Sequence, residues 1–237
     1  MVPASRQKIL ARLSSSDRVL DVGGWADPFG RADWVIDVMP YDSRGLYQRE
    51  GWVQRADEPE RFTYDTWVRR DLCDREPWPF EDGQFDFVIC SHTLEDVRDP
   101  VWACAELQRV GRAGYIEVPS RLEEQSWGVH GDFAGWSHHH WLIDVGEAHI
   151  DFSFKPHLLH SRPDCHFPAE FRAGLTARER VQTLWWETSF TFRERLFLEE
   201  HPEDAYLPEF VAEELRRRRG LGGRIRSRLT RRLRPDV

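Results

Sequence analysis

The sequence predicts an α/β fold: a doubly wound, mostly parallel sheet with an inserted β-hairpin and cap, ending in an antiparallel edge strand. Three stretches carry this reading. Residues 85–118 run as an apolar strand, a polar loop, a helix and a second apolar strand. That order is a βαβ crossover, which makes its two strands parallel neighbours. Arg18–Gly24 reads as a buried strand entering a glycine turn, followed by a second strand at Trp34–Asp37. Residues 184–197 alternate apolar and polar side chains, the pattern of one long, half-buried strand.

Each element has a local cause. Residues 5–13 form a short amphipathic helix with Ile9, Leu10 and Leu13 available for packing. Only nine residues, Trp25–Asp33, separate the glycine turn from the second strand, and they include Pro28 and Gly30. No crossover helix fits there. Residues 40–65 are polar and weakly periodic, a long surface connection with at most one short helix and the length of a lid. Thr66–Arg70 makes the third strand, ending at Asp71. Asp82-Gly83 turns into the central strand Phe85–Cys90, and Ser91–Val97 forms the loop at its carboxyl end. Asp99 caps the next helix and Pro100 starts it. Val101, Cys104, Leu107 and Val110 share one face, and Gly111 is the expected stop. Gly114–Val118 is the following strand.

The later segments are read as additions to this frame. Residues 121–139 are rich in Gly, Trp and His and form a loop or cap. Residues 140–145 and 149–154 alternate around Gly146-Glu147, which predicts the hairpin. Residues 168–184 suggest two short helices, the second after Thr176, and Phe210–Arg219 a charged helix. The expected organisation is one domain over 1–215 (core 16–120, cap and hairpin 121–160, C-terminal elements 161–215) and a basic amphipathic tail over 216–237.

The phrase LCDREPWPFEDGQFDFVICSHTLEDVRDP, residues 72–100, resembles the small-molecule branch of the class I S-adenosylmethionine-dependent methyltransferases. The matching residues are Asp71, Pro79-Phe80, Phe85-Asp86-Phe87-Val88 and Leu94-Glu95, with Asp96 where that family usually has His. The resemblance implies a Rossmann-like fold, S-adenosylmethionine as cofactor, and methyl transfer to a small molecule or sugar. It also implies a cofactor site of Asp21, Gly23, Gly24, Trp25, Asp37, Asp71, Leu72 and Ser91. Within it, Asp37 would accept hydrogen bonds from the ribose hydroxyls, Asp71 would hold the adenine amino group, and Leu72 would add a backbone contact. The family's acidic-x-Gly-x-Gly-x-Gly loop is altered here: Trp25 and Asp27 stand at the second and third glycine positions.

Two histidines are candidate catalytic groups. His92 follows the central strand, where the acceptor meets the reacting methyl group in such folds, and imidazole titrates near neutrality, at roughly pKa 6.5. His140 belongs to the capping histidines. A hydroxyl acceptor gains from such a base. His138-His139-His140 also raises metal binding. No spacing matches a zinc frame, and consecutive histidines entering a strand point to opposite faces, so no metal site is expected.

Composition narrows the alternatives. The net charge of −8 combines an acidic body with ten arginines over residues 216–237, opposed there only by Asp236. An acidic body does not suit a nucleic-acid substrate. The arginine-rich tail matches a peripheral contact with an anionic membrane surface. Cys73, Cys90, Cys104 and Cys165 have no paired spacing, as expected for a reduced, cytoplasmic protein, at most touching the inner membrane surface. Without G-x-G-x-x-G, a nicotinamide dehydrogenase is disfavoured. The competing reading is a non-catalytic scaffold on the same fold, with Trp25 filling the pocket.

Overall fold

The computed structural model describes residues 1–51, 59–196 and 206–219. Its strands are β1 (Val19–Val22), β2 (Trp34–Asp37), β3 (Trp67–Arg69), β4 (Phe87–Ser91), β5 (Ala113–Pro119), β6 (Trp141–Val145), β7 (His149–Phe154), β8 (Val181–Glu187) and β9 (Thr191–Glu194). The helices are α1 (Pro3–Arg12), α2 (Leu46–Arg49), α3 (Pro100–Val110), α4 (Arg121–Glu124), α5 (Leu158–Ser161) and α6 (Ala169–Ala173), with a further helix α7 over 206–219. The chain divides into two compact units.

The first unit comprises Met1–Glu123, His138–Lys155 and Leu175–Arg195. Its main sheet has the order β3-β2-β1-β4-β5-β8, parallel except for β8, which pairs antiparallel with β5. This is the expected Rossmann-like arrangement with its antiparallel edge. Strand alternation divides the core between the two faces. Val19, Val35, Phe87 and Ile89 join Ile9 of α1 on one side, whereas Leu20, Ile36, Val88 and Cys90 join Ala103, Cys104, Leu107 and Val110 of α3 on the other. Each of the Val, Leu, Ile and Phe side chains contributes about 1.5–3 kcal/mol when fully buried. The α3 start is as expected: the Asp99 carboxylate accepts the Trp102 N–H at 2.9 Å, with Pro100 in the first turn.

The short β1–β2 connection replaces its missing helix with a plug. Phe29 is 1% exposed and carries the Arg6 guanidinium 4.6 Å from its ring centroid. The Phe29 N–H donates to Asp21 Oδ2 at 2.8 Å, and Arg31 reaches the carbonyls of Ser14 and Asp17. One aromatic ring and one buried carboxylate thus close the face that a crossover helix would cover.

The hairpin forms as expected, β6 antiparallel to β7, but it belongs to a second sheet of order β6-β7-β9. This corrects the single long strand expected over 184–197. The chain turns at Thr188, whose φ is +66°, so β8 stays on β5 while β9 leaves to pair parallel with β7. The second helix expected after Thr176 is likewise absent. Thr176 and Glu179 bond each other's backbone N–H groups and close a single turn, after which the aromatic-rich residues 181–187 continue as strand. Gly111 does end α3, though not through a left-handed conformation: its φ is −108°. A side chain there would meet Val88 Cγ2 at 2.5 Å, so close packing is what requires glycine.

In the second unit the described residues are 124–137, 156–174, 196 and 206–219. Phe167 is fully buried and stacks on Phe171 with ring centroids 3.9 Å apart, and the buried Gln125 amide donates to the Cys165 carbonyl at 2.9 Å. The charged helix expected over 210–219 is the latter part of α7. The rest of the basic tail, residues 220–237, and residues 52–58 of the proposed lid lie outside the described residues. Among the described residues, no helix is long and apolar enough to cross a membrane.

Candidate functional site

Ligands of open parallel sheets gather at the carboxyl ends of the strands, where the order reverses. Here that point lies between β1 and β4. The residues expected to form a cofactor site lie at these strand ends. Gly23 follows β1 with φ +73°, a left-handed conformation that favours glycine, and its N–H donates to the Ile36 carbonyl at 2.9 Å. A side chain at Gly23 would strike Thr93 Oγ1 at 2.2 Å, and one at Gly24 would strike Asp21 Oδ2 at 2.2 Å. Asp21 is buried against the Phe29 N–H. Loss of hydration outweighs that hydrogen bond and raises its pKa to about 6.

Asp37 ends β2. Its Oδ2 accepts the Trp25 N–H at 3.0 Å and its Oδ1 the Met39 N–H at 2.8 Å. Burial raises its pKa despite these bonds. Trp25 is half-buried. Its indole packs against the cluster around Ile9 and Phe29, and Nε1 donates to the Ser43 carbonyl at 2.8 Å. Asp71, after β3, accepts the Cys73 N–H at 2.8 Å and pairs with Arg98 at 2.7 Å. Partial burial works to raise its pKa, but these contacts outweigh it and the pKa is lowered. Leu72 is buried, and its carbonyl accepts Trp78 Nε1 at 3.2 Å. A cleft of about 470 Å³ opens beside Val38, Arg69, Arg70, Asp71 and Asp74.

Ser91 closes β4. Its Oγ is buried with no hydrogen-bond partner. His92 follows with φ +55°, unusual for a residue with a side chain. Its backbone N–H donates to the Glu117 carbonyl at 2.8 Å, Nε2 lies 3.1 Å from Glu117 Oε1, and Nδ1 lies 3.4 Å from Glu95 Oε1. Burial opposes a charge on the ring, but the two carboxylates outweigh it and raise its pKa to about 9. Glu117 is fully buried; it also accepts the Val2 N–H at 2.8 Å and the Tyr115 hydroxyl. His92 is therefore an imidazolium at neutral pH.

His140 lies at the head of β6, its ring exposed and its backbone N–H donating to the Glu95 carbonyl at 2.7 Å. The structure thus brings His92 and His140 to the same loop, one through its ring and the other through its backbone. Glu117 and Thr93 were not singled out from the sequence, and Glu95 was named only as part of the Leu94-Glu95 motif. Glu117 did leave a signal, a lone carboxylate within the apolar run Tyr115–Val118, because a charge in a buried strand needs a partner.

Residues 48–116 match a family model described as a methyltransferase domain. No curated protein matches the chain. Among solved structures it is similar to S-adenosylmethionine-dependent methyltransferases from Thermotoga maritima (20% identity, 51% of each chain, TM-score 0.32), Mesorhizobium loti (14%, 63% of this chain and 62% of that one, TM-score 0.35) and Aquifex aeolicus (18%, 54% and 72%, TM-score 0.34). The chain spans about half the length of the first of these. The family-model match and the sheet order agree: the protein is consistent with a class I S-adenosylmethionine-dependent methyltransferase, with the Rossmann-like fold of that class.

The strand ends fit that cofactor. Ser91 offers an unspent buried hydroxyl, and the Asp37 carboxylate, which takes backbone N–H groups from Trp25, Met39 and Val38, keeps a lone pair for a hydroxyl donor.

Proposed function

We propose that this protein transfers a methyl group from S-adenosylmethionine to a small-molecule or sugar acceptor. The observation that carries this reading is the unpartnered, buried Ser91 hydroxyl at the carboxyl end of the central strand, the place where the fold collects ligands. Bound there, the cofactor supplies an electrophilic methyl group with its leaving group attached. The protein's own tasks are alignment and exclusion of water. Gly23 and Gly24 hold the tight turn, with Trp25 tying it to Ser43. Asp37 orients the loop and keeps lone pairs for the ribose, Asp71 with the Leu72 backbone takes the adenine side, and Ser91 faces the cofactor.

His92, first expected as a base, has both ring nitrogens turned to the carboxylates of Glu117 and Glu95, and a protonated ring has no lone pair for an acceptor's proton. His140 is the more exposed of the two candidate bases. Cytoplasmic placement, with residues 216–237 at the inner membrane surface, belongs to the same reading and rests on the sequence.

Calorimetric titration with S-adenosylmethionine tests the proposal. Micromolar binding, lost in Asp37→Ala while the circular dichroism is retained, is the expected result. No binding by the intact folded protein would leave a scaffold on a methyltransferase frame.

A further inference from the structure

The loop after β4 carries a cluster that the cofactor site does not use. Asp96 Oδ1 lies 3.7 Å from His139 Nε2 and 4.0 Å from His138 Nε2, and one ligand atom of each residue lies within 4.8 Å of the others. We propose that Asp96, His138 and His139 bind a divalent transition-metal ion of the zinc type.

The spacing supports this. Zinc bonds of roughly 2.0–2.2 Å place neighbouring ligand atoms of a tetrahedral site about 3.4 Å apart. The two carboxylate–imidazole separations exceed this by about 0.3 and 0.6 Å, and the two imidazole nitrogens lie within 4.8 Å of each other, so side-chain rotations have to draw the three ligands together around the ion. The donor set selects the ion. Two imidazole nitrogens and one carboxylate oxygen suit zinc and its neighbours, whereas calcium and magnesium require shells of oxygen.

The backbone holds the three residues in place. The Glu95 carbonyl accepts the His140 N–H at 2.7 Å, and the Val97 carbonyl accepts Trp141 Nε1 at 2.8 Å. These two bonds flank Asp96 on one segment and follow His138-His139 on the other, so the segments meet in a fixed register. Consecutive histidines would point to opposite faces only if they entered a strand. They precede it: β6 begins at Trp141, residues 137–138 form a turn, and strand alternation does not apply. The two imidazoles instead lie edge to face, with centroids 4.6 Å apart. The His139 side chain is 8% exposed, against 43% for Asp96 and 57% for His138. One ligand is thus anchored while the others are open to solvent, which leaves an entry path and room for a water or an oxygen of a bound molecule as the fourth ligand.

The test is metal titration of the chelator-treated full chain, using Co²⁺ absorption and Zn²⁺ calorimetry, with no cofactor or acceptor present. This readout is independent of methyl transfer. One equivalent should bind with the intense visible bands of tetrahedral Co²⁺. Asp96→Asn and His139→Ala, checked for folding by circular dichroism, should each weaken binding by at least about tenfold. His140→Ala, which removes the third histidine of the run but none of the triad, should leave it unchanged. No binding by the folded protein would overturn the proposal. So would binding that survives both triad substitutions, or that falls equally in His140→Ala, since a plain histidine run would then be the ligand.

Discussion

His92 and Glu117 are joined twice, once through the backbone, where the His92 N–H meets the Glu117 carbonyl at 2.8 Å, and once through the side chains, where Nε2 lies 3.1 Å from Oε1. The double link ties the loop after β4 to β5 and holds His92 in its left-handed conformation. Such conformations persist where the surroundings over-determine them, often at functional sites.

The first prediction is a pH dependence. The folded pKa of His92 is raised from the model-peptide value of 6.5 to about 9. A raised pKa means that the folded state holds the proton more tightly, so this stabilisation is complete below pH 6.5 and is lost as pH rises through about 9. Glu117 has a lowered pKa, because the bonds from His92 and its neighbours outweigh the burial that would raise it; its contribution is lost on the acid side. The melting temperature should therefore decline between pH 6.5 and 9. A His92→Asn variant should be less stable at pH 6.5 and show a flatter profile; an equally steep one would place the proton elsewhere.

A second prediction concerns Asp37. Truncation to alanine leaves the partly buried N–H groups of Trp25 and Met39 without their acceptor, at a cost of about 1 kcal/mol each, the low end of the range for a buried donor. Urea unfolding should show a lower midpoint with an unchanged slope, and cofactor affinity should fall with the loosened loop. A variant as stable as the parent would show that the carboxylate is not what orders the turn.

How far the sequence foretold this arrangement can be judged element by element. The parallel core was legible because its signals are local: apolar runs of strand length, Asp99-Pro100 at a helix start, and too few residues between Gly24 and Trp34 for a crossover helix. The break at Thr188 was not. A β-branched residue with positive φ runs against local preference, and only the competing partners β5 and β7 impose it. Sequence position singled out Asp21, Asp37, Ser91 and His92 as candidates but not the groups they touch. Glu95 and Glu117 reach His92 through the fold, and that contact gives the histidine its charge.

Asp21 supplies a third prediction. Burial raises its pKa to about 6, so the folded state takes up a proton that the unfolded chain binds only near pH 3.8. Its contribution to stability should therefore grow as pH falls through 6, opposite to that of a salt-bridged carboxylate. Asp21→Asn keeps an oxygen for the Phe29 N–H and removes the buried charge; Asp21→Ala removes both. At pH 7.5 the asparagine variant should melt above the alanine variant and vary less with pH than the parent. The reverse order would show that the bond to the Phe29 N–H is not what this side chain contributes.

The last prediction tests how the antiparallel edge is attached. Gly114 of β5 faces Trp186 of β8 in the pairing register, and the indole occupies the space where a side chain would stand. A Cβ on Gly114 would come within 2.7 Å of the Trp186 ring and 2.5 Å of the Val88 carbonyl oxygen. The ring could turn aside; the carbonyl belongs to the β4–β5 ladder and cannot move without stretching it. Gly114→Ala should therefore destabilise the fold by about 1–3 kcal/mol, the usual range for overpacking a filled core. Removing the ring as well separates the two clashes. If the indole is the main obstacle, Gly114→Ala combined with Trp186→Leu should cost less than the sum of the single changes, measured as a double-mutant cycle by urea unfolding. If the two costs simply add, the backbone contact with Val88 dominates, and Gly114 is required by strand spacing within the parallel sheet rather than by the edge strand.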